Sequence, residues 1–563
     1  MLQRERAFLP HALLLATIAH LGMVPIKLTD ERLLTQPRKV IQDTFEKYEQ
    51  HPVQTLVNTL SAQYARVFSE PLMLEQIPYV EPSSISALIS SLQSDRSRED
   101  GILVRWRCMI QDTGMGNELC LATLTTDGRR VCGLYGADAH YSHANQDDAA
   151  MNTANIGERT VFFGVSVPGE TAWAHDHIVG ASTSLSHAIE ELNVELSDTK
   201  RTPRNEHPSV TALVKVYDVD AAEQFKTSDV IDVVGLLELS TSPQAHWHLD
   251  ENDLAEAPIL PCVHALYARC SPPIFPAHLG SCGVPEDVRA SLIQYFTQVL
   301  GGDALVAEYI LLALLGRVHA RKNGIVIGPF SINVTGLDRQ HHEALISALE
   351  QIMPAVVCQP LSLAELNDVT RPLYVCGTDT GIQAGRLQLP HGTCVVVDES
   401  GMDEGQLHDA GVRNIRALFS LLQQHTLPYV FPFSELDIPT DLVIIVLSQS
   451  KSLLPVDAHI HARPHQAPHI EVSPSILHTF RLFLANIRQK SLTIPVDVSD
   501  HIQDDFVQMR KSGARRFDQD DLQRCLHLSR LLSLSHGLEQ LTTDMWSQAK
   551  VLDSTRAERV ALP

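Results

Sequence analysis

The stretch TCVVVDE, residues 393–399, decides the fold predicted for the C-terminal half of this chain. Its apolar, β-branched residues predict a buried strand, and Asp398 and Glu399 follow at the carboxyl end of that strand. Ligands bind at the carboxyl ends of strands in parallel sheets, and in P-loop ATPases an aspartate at this position helps to hold magnesium. The pair therefore marks a candidate nucleotide site, although a strand that merely ends in solvated acids would give the same sequence.

The segments around this strand alternate between strand and helix patterns. Two further apolar runs predict strands, at 325–336 (IVIGPFSINVTG) and 441–450 (DLVIIVLSQS). Helical periodicity predicts helices at 284–300, 303–320, 341–353 and 412–424, and from Pro474 to the end. Continuous apolar strands separated by helices are typical of a parallel sheet covered on both faces, so the predicted class is multidomain α/β.

The N-terminal half has a different pattern. Residues 36–92 predict amphipathic helices, and from Ile102 the apolar period becomes two. Strands are predicted in ILVRWRCMIQD, ELCLATLTT, RRVCGLYG, RTVFFGVSVPG, ALVKVYD and DVIDVVGLLEL. Short strands joined by irregular loops are typical of a small barrel or sandwich. A polar insertion near 185–210 interrupts these strands, and the Pro- and His-rich residues 246–280 are predicted to be a connection.

Composition argues against nucleic-acid binders, zinc ribbons and membrane proteins. The 563 residues include 44 Lys plus Arg and 67 Asp plus Glu, a formal net charge of −23, so phosphate backbones would be repelled. The basic clusters at 200–204 and 510–516 are short. The ten cysteines contain no C-x-x-C pair. Prolines and histidines break the apolar run at 8–25, so a helix is preferred there over a signal peptide or a membrane span.

The phosphate cradle that an ATP site requires is missing from the preceding strand. GPFSINVTG, residues 328–336, is followed by LDRQHHEAL and not by the G-x-x-x-x-G-K-[ST] pattern. No lysine is placed to reach the β- and γ-phosphates, and Asp338 adds a negative charge. We therefore expect no useful ATP affinity through this loop, and the sequence assigns no catalytic, cofactor-binding or metal-binding residue.

Two other motifs have simple structural explanations. GVSVPG, residues 164–169, is close to a G-x-S-x-G hydrolase elbow, but Pro168 replaces the second glycine and no strand–turn–helix setting is predicted, so a loop is preferred. A histidine-rich stretch mixes residue spacings and is interrupted by prolines, so a solvated loop is preferred over a metal site. Its histidines are His459, His461, His465 and His469.

Several strings, in order along the chain, resemble the minichromosome maintenance (MCM) complex-binding protein family. They are LVRWRCMIQDTG (103–114), FGVSVPGETAW (163–173), LVKVYD (213–218), GRLQLPHGTCVVVDE (385–399), KSLLPVD (451–457) and DDFVQMRK (504–511). The resemblance extends from about residue 100 to the C-terminus, while the first 35 residues do not resemble the usual start of the family.

That family is in turn similar to the MCM helicase subunits. Residues 384–402 resemble the acidic strand of the helicases, with Met402 matching, and 417–431, 443–450 and 521–553 resemble their hairpin, sensor strand and lid helices. The resemblance implies four regions. They are a helical region at 1–98, an OB-like β-barrel without zinc-binding cysteines at 99–245, a degenerate AAA+-like domain at 246–475 and a helical lid at 476–563.

The departures from the helicases concern the residues that act on ATP and DNA. Leu454-Pro455-Val456 stands before Asp457 where the helicases have S-R-F, Asp520 stands near the lid arginine, and Phe431 or Val430 stands nearest the hairpin lysine. An arginine finger contributes about 10³–10⁵ in rate in other NTPases. Loss of these cations together with the phosphate loop predicts a protein that is not an enzyme.

The resemblance implies a nuclear protein that binds MCM helicase subunits and regulates their assembly on chromatin, or their unloading from it, during DNA replication. Its contact with chromatin would be indirect, through MCM, and no cofactor or membrane is expected. Two alternatives remain open. One is an active ATPase with an unrecognised phosphate site, and the other is a DNA-binding module that uses the barrel.

Overall fold

The computed structural model describes residues 28–92, 100–126, 129–136, 156–179, 209–241, 259–271, 287–378, 381–512 and 518–561. The predictions made for residues 8–25, for most of 185–210 and for the basic cluster at 200–204 lie outside these ranges. Within them the chain is a mixed α/β protein with several sheets, one of which is wholly parallel, and this confirms the predicted α/β class.

The N-terminal described residues are helical, as predicted for 36–92. The helices are α1 (Leu28–Thr35), α2 (Pro37–Tyr48), α3 (Val53–Ser69), α4 (Pro71–Leu74) and α5 (Ile85–Leu92). Leu60, Tyr64 and Val67 recur on one face of α3 at helical spacing and are fully buried. They share a core with Leu236 and Leu266 of the first sheet, so this face fixes the helices onto the strands.

The first sheet follows, with two short helices between its strands. Its elements and neighbours are β1 (Leu103–Asp112), β2 (Asn117–Leu121), β3 (Thr123–Thr126), β4 (Arg129–Cys132), β5 (Ile156–Ser166), α6 (Ala172–Val179), β6 (Thr211–Val216), α7 (Val219–Ala222), β7 (Val230–Thr241) and β8 (Ile259–Cys270). The order is β1-β7-β8-β6-β5-β2, and an extra pairing of β1 with β5 closes five of these strands into a ring. All pairings are antiparallel except β6–β8.

Two predictions in this region are wrong. Residues 259–270, within the predicted connection 246–280, form β8 and pair along the whole length of β7, so the first sheet extends past residue 245. Pro261 and His264 obscured the alternating pattern; His264 is fully buried and its Nδ1 lies 2.8 Å from the Tyr217 hydroxyl. ELCLATLTT is two strands, because β3 leaves β2 and, among the residues that the structure describes, pairs with β4 alone.

The second half alternates helices and strands as predicted. Its elements up to the carboxyl end of the acidic strand are α8 (Val288–Val299), α9 (Ala304–Leu315), β9 (Ala320–Lys322), β10 (Ile325–Ile327), β11 (Ile332–Thr335), α10 (Arg339–Ile352), β12 (Val356–Pro360), α11 (Leu363–Asn367), β13 (Val375–Thr378), β14 (Gly381–Gln383) and β15 (Cys394–Asp398). The remaining elements are α12 (Asp409–Gln423), β16 (Thr426–Phe431), β17 (Ser434–Pro439), β18 (Val443–Ser448), β19 (Ala458–His461), α13 (Pro474–Gln489), α14 (Val496–Ser512), α15 (Gln519–Ser535) and α16 (Thr543–Ala561).

Five of these strands form the parallel sheet, in the order β12-β15-β18-β11-β19. Apolar residues on its strands, such as Val396 and Ile445, pack with α9 and the C-terminal helices in the largest core. The predicted single strand 325–336 is wrong, because Gly328 has a φ of +116° and breaks it. Its first part pairs with β9 in a small hairpin, and only its second part enters the parallel sheet.

A second, four-stranded sheet has the order β14-β13-β16-β17. The helices from Pro474 onward confirm the helical prediction for the C-terminal residues that the structure describes. No single helix in these ranges is long and apolar enough to cross a membrane. Helices α8 and α9 are long and apolar enough only when taken together, and the chain bends by 119° at the break between them.

The loop after β5 joins the first sheet to the parallel sheet. The Gly169 carbonyl accepts a hydrogen bond from the Val356 N–H at 2.8 Å. The Thr171 hydroxyl and the Trp173 indole N–H both donate to the Met353 carbonyl, at 3.0 and 3.2 Å. Arg481 stacks on the Trp173 ring, 4.0 Å from its centroid, so the joint is held by backbone, polar and aromatic contacts together.

Candidate functional site

The carboxyl ends of the parallel strands meet at one edge, as the sequence predicted. Asp398 pairs with Leu447, the last but one residue of β18, and Thr335 at the end of β11 pairs with both Ser448 and His461. The sheet also has a switch point at β11. The next strand along the chain, β12, lies on one side of β11, and the last strand, β19, lies on the other. Such a crossover opens a crevice where ligands bind in other α/β proteins.

Asp398 forms contacts within the protein. Its Oδ1 accepts a hydrogen bond from the Ser400 N–H at 2.9 Å and lies 3.8 Å from Nδ1 of His342. His342 is buried, and this burial lowers its pKa more than the nearby Asp398 raises it. The imidazole is therefore neutral at physiological pH and does not supply a positive charge for a phosphate.

Glu399 points into the protein. Its side chain is buried, and its Oε1 accepts a hydrogen bond from the Ser452 hydroxyl at 2.7 Å. Burial raises the pKa of this carboxyl group, and the bond from Ser452 only partly opposes that change. Ser452 in turn accepts the Leu454 N–H at 2.9 Å, so Glu399 orders the loop after β18.

A short turn between β11 and α10 stands where an ATP site would need a phosphate loop. Gly336, Leu337 and Asp338 alone connect β11 to α10, which leaves too little chain for the eight-residue phosphate motif. The Asp338 carboxylate accepts the His341 N–H at 2.9 Å and lies 2.6 Å from Nδ1 of the same residue. The positive N-terminal end of α10, which binds phosphate in P-loop proteins, is thus capped by an internal anion.

Gly336 also leaves little room above this helix end. Its φ is +82°, and a Cβ atom there would lie 2.6 Å from the Ala462 carbonyl oxygen and 2.8 Å from the His461 ring. His461 and Ala462, at the end of β19, therefore fill the space over the turn.

Leu454, Asp457 and Asp520 stand at or next to the positions where the sequence departs from the helicases. Leu454 is buried in the core beneath the second sheet. Asp457 accepts hydrogen bonds from the Ser331 N–H and hydroxyl at 2.7 and 2.8 Å. Asp520 is exposed in the first turn of α15.

The sequence analysis missed the arginines of the C-terminal helices. Arg524, one helical turn after Asp520, donates to Asp553 at 2.8 Å, and Arg556 binds the same carboxylate at 2.7 Å. Arg556 also donates to the His459 carbonyl at 3.1 Å, which ties α16 to β19. The i, i+3 spacings of Asp521 with Arg524 and of Asp553 with Arg556 were the signals in the sequence that could have revealed this network.

Two histidines of the predicted solvated loop lie on β19 instead. His459 Nδ1 is 3.2 Å from the Asn333 amide nitrogen, and His461 Nδ1 is 3.1 Å from the Thr335 hydroxyl. They bind different partners, and within the described ranges no group of three or more His, Cys, Asp or Glu side chains is arranged to hold a metal ion.

The segment 164–169 was predicted to lack a strand–turn–helix setting, and that prediction is wrong. β5 ends at Ser166 and α6 begins at Ala172. The Ser166 hydroxyl accepts the Val210 N–H at 2.9 Å, so this side chain is held by the residue that precedes β6. The turn that follows forms the contact between the first sheet and the parallel sheet.

The chain matches one family model and a set of curated relatives. The model, described as mini-chromosome maintenance replisome factor, matches residues 64–207 and 181–560. A mini-chromosome maintenance complex-binding protein of Danio rerio is 28% identical over 566 residues, covering 81% of this chain and 88% of its own length. The protein of the same name from Mus musculus is 26% identical over 572 residues, with the same coverages of 81% and 88%.

A relative from Arabidopsis thaliana with that name is 26% identical over 567 residues, covering 88% of this chain and 92% of its own length. The family match confirms the resemblance seen in the sequence and extends it toward the N-terminus as far as residue 64. The chain therefore belongs to the mini-chromosome maintenance replisome factor family.

Proposed function

We propose that this chain binds MCM helicase subunits as a helicase-like partner without catalytic activity. The relatives are named MCM complex-binding proteins, which supports the choice of partner. The observation that carries the proposal is the short turn after β11, where Asp338 caps the helix end that a nucleotide phosphate would need.

The finer features of the fold fit this proposal. We propose that the ring of five strands in the first sheet corresponds to an OB-like barrel, a fold in which five strands form a partly open barrel. The parallel sheet with its acidic strand end and capping helices would correspond to a degenerate AAA+-like domain with a helical lid. A protein of this shape resembles a helicase subunit without completing a neighbour's ATP site.

The consequence for the MCM ring follows from differential binding. If the chain prefers MCM subunits outside the closed ring, its binding shifts the population toward the free subunits. We propose that it regulates assembly of MCM on chromatin or its unloading in this way. It would act in the nucleus during DNA replication, with contact to chromatin only through MCM.

The test of partner binding uses the purified full-length chain and purified MCM subunits. We expect direct association of at least one subunit in a pull-down. Mutations in the 280–480 region should weaken that association. Equal binding by these mutants, together with binding by the first sheet and its helices alone, would show that helicase mimicry is wrong.

The test of catalysis is separate. Titration of a labelled ATP analogue should give no magnesium-dependent binding at micromolar concentration. Hydrolysis that disappears in Glu399→Gln would instead support the alternative of an active ATPase. DNA binding with a steep salt dependence would support the alternative of a DNA-binding barrel.

A further inference from the structure

The hairpin formed by β16 and β17, residues 426–439, makes up two of the four strands of the second sheet, and β17 lies at its edge. Its strands pair without interruption from Thr426 with Pro439 to Phe431 with Ser434. Only Pro432 and Phe433 form the turn, and the proline ring restricts φ at the first turn position. The hairpin is therefore a regular structure with a short, stiff tip.

The root of the hairpin is held firmly. The Arg321 guanidinium donates to the carbonyl oxygens of Gln424, His425 and Thr440, each at 2.9 Å, and so ties both ends of the hairpin together. Midway along β16, the Tyr429 hydroxyl accepts a hydrogen bond from Gln388 at 2.9 Å. A partner that bound the tip would thus meet a preorganised element, which lowers the entropic cost of association.

The tip exposes apolar surface. The Phe433 side chain is fully exposed, at 102% of its reference area, and Leu436 on β17 is 53% exposed. β17 is also an edge strand, with no neighbour on its outer side in the part of the chain that the structure describes. Single exposed apolar residues are common, but an aromatic ring at the end of a rigid, open-edged hairpin has the form of an interface anchor.

The charges around the tip are acidic. Glu435 and Asp437 are exposed on β17, and residues 426–439 contain no Lys or Arg. Glu435 lies 3.3 Å from Arg416, but both side chains are exposed, so this pair would exchange readily for another cation. The surface therefore attracts a positively charged partner.

We infer that Phe433 is the anchor of a protein interface and inserts into an apolar pocket bordered by Lys or Arg side chains on an MCM subunit. This inference rests on the proposed function and names the surface that would perform it. A second copy of the chain fits poorly, because pairing two β17 edges would bring Glu435 and Asp437 of both copies together. DNA fits poorly because its phosphates would face the same acids.

The experiment compares full-length variants for binding to purified MCM subunits. Phe433→Ser should weaken binding about tenfold or more, since buried aromatic anchors dominate interface affinity. Val551→Ser is the matched control, because Val551 is 68% exposed on α16, away from the hairpin. Both variants should keep the wild-type Tm, since neither side chain is packed in a core.

The charge component is tested with the Glu435→Lys, Asp437→Lys double variant. We expect weaker binding and a smaller loss of affinity with added salt than for wild type. Asp520→Lys, an exposed acid on α15, is the control and should bind as wild type.

The outcomes separate the two proposals. If wild type binds MCM and Phe433→Ser binds equally well, the hairpin inference is wrong and the proposed function stands. If wild type binds no MCM subunit, both are wrong. Self-association or DNA binding that depends on Phe433 would assign the tip to a different partner and overturn the inference.

Discussion

Glu399 keeps its carboxylate 2.7 Å from the Ser452 hydroxyl, in a setting largely closed to water. Asp398 beside it accepts the Ser400 N–H, and Asp338 across the edge caps α10. Each carboxylate that would serve a nucleotide is thus engaged in local structure. At the scale of single residues, these positions maintain the loops at the end of the sheet.

Replacement of Glu399 by Gln should leave the protein equally stable or more stable at pH 8, by up to about 1 kcal/mol. Burial raises the folded-state pKa of this carboxyl group, so the charged form costs stability once the pH rises through that pKa. Gln retains an oxygen that can accept the Ser452 hydroxyl. The measurement is the Tm of wild type and variant at pH 5 and pH 8.

Glu399→Ala is the control for this prediction and should lower Tm, because it leaves the Ser452 hydroxyl without its acceptor. An equal loss of Tm in Gln and Ala variants at pH 8 would indicate that the negative charge itself stabilises the fold, for example through a bound cation.

Among the elements, the loop between β5 and α6 contains a close approach to a neighbouring strand. Gly169 has a φ of +71°, and a Cβ atom there would lie 2.5 Å from the Val357 side chain and 2.9 Å from the Val356 carbonyl oxygen. This close approach brings the loop onto the start of β12, and Thr171 and Trp173 bind the carbonyl of Met353, which precedes that strand. A β-turn thus determines how the first sheet and the parallel sheet meet.

We expect Gly169→Ala to destabilise the chain by about 1–3 kcal/mol, through the positive φ and the clash with β12. Gly116→Ala is a matched control, because Gly116 has a φ of +73° but nothing within 4 Å of an added Cβ. The Tm should fall further in Gly169→Ala than in Gly116→Ala. Limited proteolysis should also cleave the former faster between the two halves. Equal effects of the two substitutions would show that the contact contributes nothing to the joint.

At the scale of the whole molecule, several buried or half-buried histidines of the described residues are kept neutral. Burial lowers the pKa of His342, His425 and His459. His175 is the opposite case, since its hydrogen bond with Glu170 raises its pKa. The folded state therefore binds fewer protons than the unfolded state at the first three positions and more at the last.

The sign of the pH dependence follows from these directions. Stability from the histidines with a lowered pKa, which also include His319, His527 and His536, is present above their unfolded pKa of about 6.5 and is lost as the pH falls below it. The raised pKa of His175 opposes this loss but does not balance it. We therefore expect the Tm to fall between pH 7.5 and pH 5.5.

His425→Asn isolates one contribution to this dependence. His425 has a φ of +52°, a conformation that Asn tolerates, so the backbone should be retained. The variant should lose less Tm on acidification than wild type. A wild-type Tm that does not change between the two pH values would contradict the prediction.

The sequence by itself determined the family, the α/β alternation of the second half and the strand that ends in Asp398 and Glu399. These depend on local periodicity and on strings of neighbouring residues, which are fully present in one dimension. The absence of a lysine-bearing phosphate loop was visible for the same reason.

Only the tertiary structure decided what surrounds those residues. The pairing of β8 with β7, the role of Asp338 as a helix cap, and the contact of Gly169 with β12 all join segments or settle conformations that sequence patterns leave open. The exposure of Phe433 is also a property of packing, because the same apolar residue in a sequence predicts burial as readily as exposure. Close packing selects among such possibilities because only the folded chain brings distant atoms within contact distance.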